Sequence, residues 1–149
     1  MNLGQSVAKQ NKLQPVIKLK QRREQQAGRR LQETNLDRQR HHQLIKQLQD
    51  YRDGYLQKME GVLKQGVAVN QLGDYRAMLA ELDEALAKER VALQWAENDW
   101  QQAHEVWQVA RSQVEALSGL SKQYARDGRR AAETLEQDQQ EDIHRNQSR

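Results

Sequence analysis

Between Leu72 and Leu135 apolar side chains recur at alternating gaps of three and four residues. The positions are Leu72, Tyr75, Leu79, Leu82, Leu86, Glu89, Leu93, Ala96, Trp100, Ala103, Trp107, Ala110, Val114, Leu117, Ser121, Tyr124, Gly128, Ala131 and Leu135, and sixteen of the nineteen are apolar or aromatic. An average step of 3.5 residues keeps one helical stripe turned toward a partner, which is the seam of a coiled coil. The stripe runs for about nine heptads without proline, or roughly 95 Å at the rise of an α-helix. An apolar stripe left in water is unstable, so a partner helix must cover it.

A second ladder of the same period precedes it: Leu13, Ile17, Lys20, Glu24, Ala27, Leu31, Thr34, Arg38, His41, Ile45, Leu48, Arg52, Tyr55, Met59 and Val62. Its ends are apolar and its middle is polar, and its registry is weakest from Lys20 to His41. Pro15 is tolerated in a first helical turn and not deep inside a helix, so helix one is predicted to begin near Leu13 to Pro15, or to resume there after a break. Gly61, Gly66 and Gly73 fall between the ladders, and closely spaced glycines weaken a helix by about 1 kcal/mol each. Residues 61–71 are therefore predicted as a turn, with Asn70 as the N-cap of helix two. The fold class predicted is all-α, a long two-helix antiparallel coiled-coil hairpin. Helix one covers about 13–60 and helix two about 72–140, with frayed polar ends including the segment from Asp138. A long parallel homodimer is the competing arrangement, disfavoured by the glycine-rich break at mid-chain.

Composition supports a narrow seam rather than a globular core. The 149 residues contain no Phe and one Pro; 36% are hydrophobic and 30% charged, with a mean hydropathy of -1.10. The absence of cysteine excludes a disulfide framework and thiolate chemistry. No apolar h-region or membrane-length run occurs, so a cytosolic chain is expected. The net charge of +3 is uneven: residues 1–46 carry eleven Lys and Arg against three acids, and residues 47–149 carry thirteen against eighteen. In a hairpin the basic residues 18–40 are expected beside Glu97, Asp99, Glu105 and Glu115, with Glu133, Glu136, Asp138, Glu141 and Asp142 beyond them.

Signals for chemistry are weak. Gly61 to Gly66 has phosphate-loop glycine spacing, but Val67 and Ala68 stand where Lys-Ser/Thr is required and no strand precedes it. His41 and His42 are neighbours on different helix faces and cannot chelate one ion together. His104 and His144 are isolated. No catalytic residue, metal ligand or cofactor site is predicted, and a two-helix rod offers no pocket that excludes water. The basic run Lys18, Lys20, Arg22, Arg23, Arg29, Arg30 suits nucleic acid or anionic lipid, or else a solvated face paired with the acidic part of helix two. With no aromatic beside it, the second reading is preferred and no nucleic-acid partner is expected. Trp95, Val91, Val106 and Val109 lie off the seam, and Tyr51 and Met78 flank the turn; exposed apolar groups of this kind suggest a partner surface.

Several segments together resemble the FliJ family of the flagellar type III export apparatus. They are Leu48-Gln-Asp-Tyr51-Arg-Asp-Gly-Tyr55, the spacing to Asp74-Tyr75-Arg76, then Leu79, Leu82 and Ala85, Gln94-Trp95 and Val106-Trp107, and near the start Leu13-Gln-Pro-Val-Ile-Lys and Glu24-Gln-Gln-Ala27. The resemblance spans about residues 10–142. It implies a non-enzymatic stalk whose two terminal arms enter the hexameric flagellar export ATPase. It implies a turn end that reaches the cytoplasmic domain of the export gate, a membrane protein, and a role in escorting export substrate chaperones. The chain would then be cytoplasmic, and peripheral to the membrane only through its partners. The gate-binding face implied is Leu48, Tyr51, Tyr55, Met78, Leu82 and Ala85, while the sequence departs from a family member at Leu44 and Glu89. Leu48, Tyr55 and Leu82 are also seam positions. Arg22, Arg23, Arg29, Arg30, Arg129 and Arg130, taken as lying near the free ends, are candidates for the ATPase pore. The stalk proteins of virulence secretion systems share the hairpin, and a basic coiled-coil adaptor for RNA or acidic lipid is the remaining alternative.

Overall fold

A computed structural model describes residues 2–66 and 69–149. Helix α1 spans Leu3–Lys64 and helix α2 spans Val69–Gln147, 62 and 79 residues respectively. They pack antiparallel, and there is no strand among the described residues, so the fold is the all-α coiled-coil hairpin read from the ladders.

The ladders are the buried faces. Every position of the α1 ladder from Leu13 to Val62 is buried or half-buried, including the polar stretch from Lys20 to His41. On α2 the same holds from Leu72 to Ala131, and only Leu135, at 52% exposed, departs. The most buried apolar positions of α2 run from large to small, Leu79, Leu82 and Leu86 and then Ala96, Ala103 and Ala110, with Ile17 and Ala27 on α1. Burying a leucine such as Leu86 contributes about 1.5–3 kcal/mol, and seam packing of this kind supplies most of the stability of a two-helix fold.

The chain divides into two compact units. The first contains residues 1–28 and 106–149, and the second contains residues 29–105. In the first, Ser6 lies against Gly128, Gln10 donates its side-chain amide to the Ser121 carbonyl at 3.3 Å, and Gly28 lies beneath the indole of Trp107. In the second, Arg38 reaches Glu97, Arg52 reaches Asp83, and Tyr55 meets Tyr75. Within each unit the partner number on α2 falls as the number on α1 rises, the signature of antiparallel pairing.

The helix limits differ from the sequence expectation in three places. Helix one begins at Leu3 rather than near Leu13, and Pro15 sits inside it. An interior proline removes one helical hydrogen bond and costs about 3 kcal/mol. Contacts to α2 on its N-terminal side offset that cost: Ser6 is 1% exposed, and the Lys9 ammonium lies 5.4 Å from the Tyr124 ring centroid. Asn2 supplies the cap, its side-chain oxygen accepting from the Gln5 N–H at 2.8 Å. Second, Gly61 and Gly73 lie within the helices, and Asn70 is in the first turn of α2 rather than its cap. Gln65 and Gly66 close α1 through bonds from their N–H groups to the Val62 and Leu63 carbonyls. Gly66, at φ +78°, takes the left-handed conformation that ends a helix without a Cβ clash. The middle of the predicted turn, Val67 and Ala68, lies outside the described residues, and so does that part of the phosphate-loop comparison. Third, α2 stays helical to Gln147, past the Asp138 at which fraying was expected.

Candidate partner-binding surfaces

Beside the turn, three of the four tyrosines converge. The Tyr51 and Tyr55 rings are 5.3 Å apart and the Tyr55 and Tyr75 rings 6.0 Å, the latter edge-to-face. Tyr55 and Tyr75 are ladder positions from facing helices, whereas Tyr51 stands outside the seam at 57% exposed. Tyr55, Lys58, Asp74, Tyr75 and Met78 line an open groove. A hydrogen bond with the Tyr51 hydroxyl, and the repulsion between neighbouring phenolates, push the Tyr55 pKa up.

The six residues implied for gate binding fall into two groups. Leu82 is buried at 7%, and Leu48 and Tyr55 are half-buried seam residues. Tyr51 is open to solvent, with Met78 and Ala85 half-buried beside the seam. Met78 is thus less exposed than its off-seam position suggested. Trp95, Val91, Val106 and Val109 are exposed as read from the sequence, Trp95 at 67%.

The second unit also contains a polar layer. Arg38 lies 4.0 Å from the Trp100 ring centroid and contacts the Glu97 carboxylate at 3.3 Å, while donating to Asn35. His42 reaches the other Glu97 oxygen at 3.0 Å, and His41 contacts Glu89 at 2.9 Å and Asp37 at 3.7 Å. Burial raises the Glu97 pKa, but hydrogen bonds from His42 and Arg38 and their charges outweigh it, and the net value lies below the usual carboxylate range. Thr34, 4% exposed, satisfies its hydroxyl on the Arg30 and Leu31 carbonyls. The sequence placed Arg38, His41 and Glu89 on seams but not together. The signal was there: polar ladder positions on facing helices tend to meet. No group of three or more metal-ligating side chains occurs among the described residues.

The expected charge pairing of residues 18–40 with later α2 is met at Arg38 with Glu97 and corrected for Arg30 and Glu115. Among the described residues the ion pairs between the helices are Arg38 and His42 with Glu97, His41 with Glu89, and Arg52 with Asp83. Arg30 pairs within its own helix with Glu33, and Glu115 with Arg111. Residues from Glu133 onward are exposed, because α1 begins at Leu3, level with Gly128.

All six candidate arginines for the ATPase are exposed. Within the first unit Arg129 and Arg130 adjoin Gly128, which meets Leu3 and Ser6, while Arg22 and Arg23 lie some 17 residues further along α1, about 25 Å at helical rise. Arg29 and Arg30 belong to the other unit. No helix among the described residues is long and apolar enough to cross a membrane.

No curated protein and no solved structure matches the chain. A family model described as the flagellar FliJ protein matches residues 9–147, nearly the whole chain, and the chain therefore belongs to the FliJ family, components of the flagellar protein export apparatus.

Proposed function

We propose that the chain is a non-catalytic stalk and adaptor of the flagellar type III export apparatus. In this reading its terminal arms engage the hexameric export ATPase, its turn end engages the cytoplasmic domain of the export gate, and it escorts substrate chaperones between them. It remains cytoplasmic and meets the inner face of the cell membrane through these partners. Family membership supports the setting, and one local observation supports the gate contact: Tyr51 stands exposed on a stacked tyrosine cluster beside the turn. A rigid aromatic with its ring half open and its neighbours already packed is the usual make-up of an interface hot spot. Within the implied gate face, Tyr51, Met78 and Ala85 then touch the partner, while Leu48, Tyr55 and Leu82 hold them in place through the seam.

The test is binding of the full chain to the gate's cytoplasmic domain. Tyr51→Ala and Met78→Ala are expected to weaken it by roughly tenfold each with helicity unchanged. Wild-type affinity in both variants would refute the gate contact. For the ATPase, charge reversal of Arg22, Arg23, Arg129 and Arg130 is expected to abolish association and stimulation of ATP hydrolysis. Unchanged stimulation would remove that contact from the reading.

A further inference from the structure

Lys18 to Arg23 make no ion pair with α2 among the described residues, and Lys18, Arg22 and Arg23 are exposed, so their charges face solvent rather than acidic residues of α2. Those charges belong to a concentrated field. The first unit, residues 1–28 and 106–149, carries thirteen Lys and Arg against eight acids, a net of +5, and its α1 part, residues 1–28, carries six against one; residues 29–105 carry eleven against thirteen. On α1 the charges also have an order. Lys9, Lys12, Val16, Leu19 and Arg23 follow one another at gaps of three and four, so they share one face beside the seam, and all five are exposed. Val16 and Leu19, at 40% and 47%, stand at the centre of that stripe with cations at both ends.

We infer that this face binds an anionic phospholipid surface directly. A helix side with aliphatic groups at its centre and lysine or arginine around them places its methyl groups at the headgroup boundary while the cations meet lipid phosphates. Lys and Arg stems bury along the same boundary and keep their charges in water. Nucleic acid fits less well: single strands favour stacking aromatics, and this stripe has aliphatic groups only. This contact is made by the chain's own residues and adds to the one that the proposed function routes through partners.

Co-sedimentation of the full chain with vesicles tests this. Vesicles of equal phosphatidylglycerol and phosphatidylcholine at low salt are expected to bind it, and pure phosphatidylcholine vesicles are not. Removing each charge at the surface should weaken binding roughly fivefold, so Lys9→Gln with Lys12→Gln should lose about 25-fold. Val16→Ser with Leu19→Ser should lose several-fold at unchanged charge. Lys46→Gln with Lys64→Gln, the same change of net charge in the other unit, should leave binding as it was. Circular dichroism confirms that each variant remains helical. The inference is overturned if the anionic vesicles do not bind the protein, or if the Lys46/Lys64 variant loses as much as the Lys9/Lys12 variant. It is also overturned if the Val16/Leu19 variant binds as wild type while single-stranded RNA binds equally well.

Discussion

The two units solve the same packing problem with different chemistry. Residues 29–105 join their helices through a leucine-rich seam and a layer of ion pairs, Arg38 and His42 on Glu97, His41 on Glu89 and Arg52 on Asp83. Residues 1–28 and 106–149 have none of these pairs among the described residues and use close approach instead, with Ser6 on Gly128 and Gly28 under Trp107. Polar layers fix register, because a shifted alignment strands a charge beside apolar neighbours. Small-residue contacts fix separation, because a Cβ at Gly28 or Gly128 would already touch the facing helix at 3.6 or 3.4 Å and atoms beyond it would have to push in. Among the described residues the unit held by shape has no ion pair between its helices, its charges being engaged locally as in Arg111 with Glu115 and Lys9 over Tyr124, whereas the unit held by charge has several across its seam.

The largest effect is expected in the leucine seam. Leu86, 3% exposed, should cost about 2–4 kcal/mol as Leu86→Ala, read by chemical denaturation. A loss below about 1 kcal/mol would mean that the seam of residues 29–105 is not where its stability resides.

Shape dependence in the other unit comes next. A Cβ on Gly128 would stand 3.4 Å from the Ser6 Cβ, so Gly128→Leu should cost about 1–3 kcal/mol. Gly119 has nothing within 4 Å of that position, and Gly119→Ala should stabilise by about 0.5–1 kcal/mol through helix propensity. Equal effects of the two changes in denaturation midpoint would erase the distinction drawn for this unit.

The polar layer can be dissected at His41 and Glu89, whose side chains are each 25% exposed. His41→Leu alone should destabilise by about 1–2 kcal/mol by leaving Glu89 without its partner. Adding Glu89→Leu should restore or exceed the wild-type value, since an apolar pair fits a seam at least as well as a half-buried ion pair. A double variant that stays as unstable as the single one would show that the pair itself contributes net stability.

Glu97 gives the smallest effect. Its side chain is 39% exposed, so solvent screening keeps its contribution within about 1 kcal/mol. Its folded pKa lies below the usual range, so its contribution is complete above the unfolded carboxylate range and is lost as the pH falls through the lowered folded value. Glu97→Gln should flatten the stability profile in that acidic window and leave the profile near neutrality parallel to wild type. A profile unchanged on the acidic side would separate Glu97 from Arg38 and His42.

Periodicity alone carried most of the fold. A seam stepping by three and four residues needs a covering helix, and a break with glycine at its end lets the chain supply its own. The seam residues therefore emerged from sequence even where α1 is polar from Lys20 to His41. Off-seam exposure of Trp95 and Tyr51 came from the same count. Three features required the packed helices. Pro15 lies inside α1 because contacts of Ser6, Lys9 and Gln10 with α2 outweigh a local penalty that a propensity argument sees alone. Acidic residues on α2 find cations only where register brings them level, so charge per segment set Glu97 beside the basic stretch but did not reveal that Glu89 meets His41 across the helices while Glu115 stays with Arg111. Of the six candidate arginines, Arg22, Arg23, Arg129 and Arg130 fall in one compact unit and Arg29 and Arg30 in the other, a division that sequence spacing does not show. Spacing along a chain fixes which face a residue occupies; only the alignment of one helix against the other decides what stands opposite.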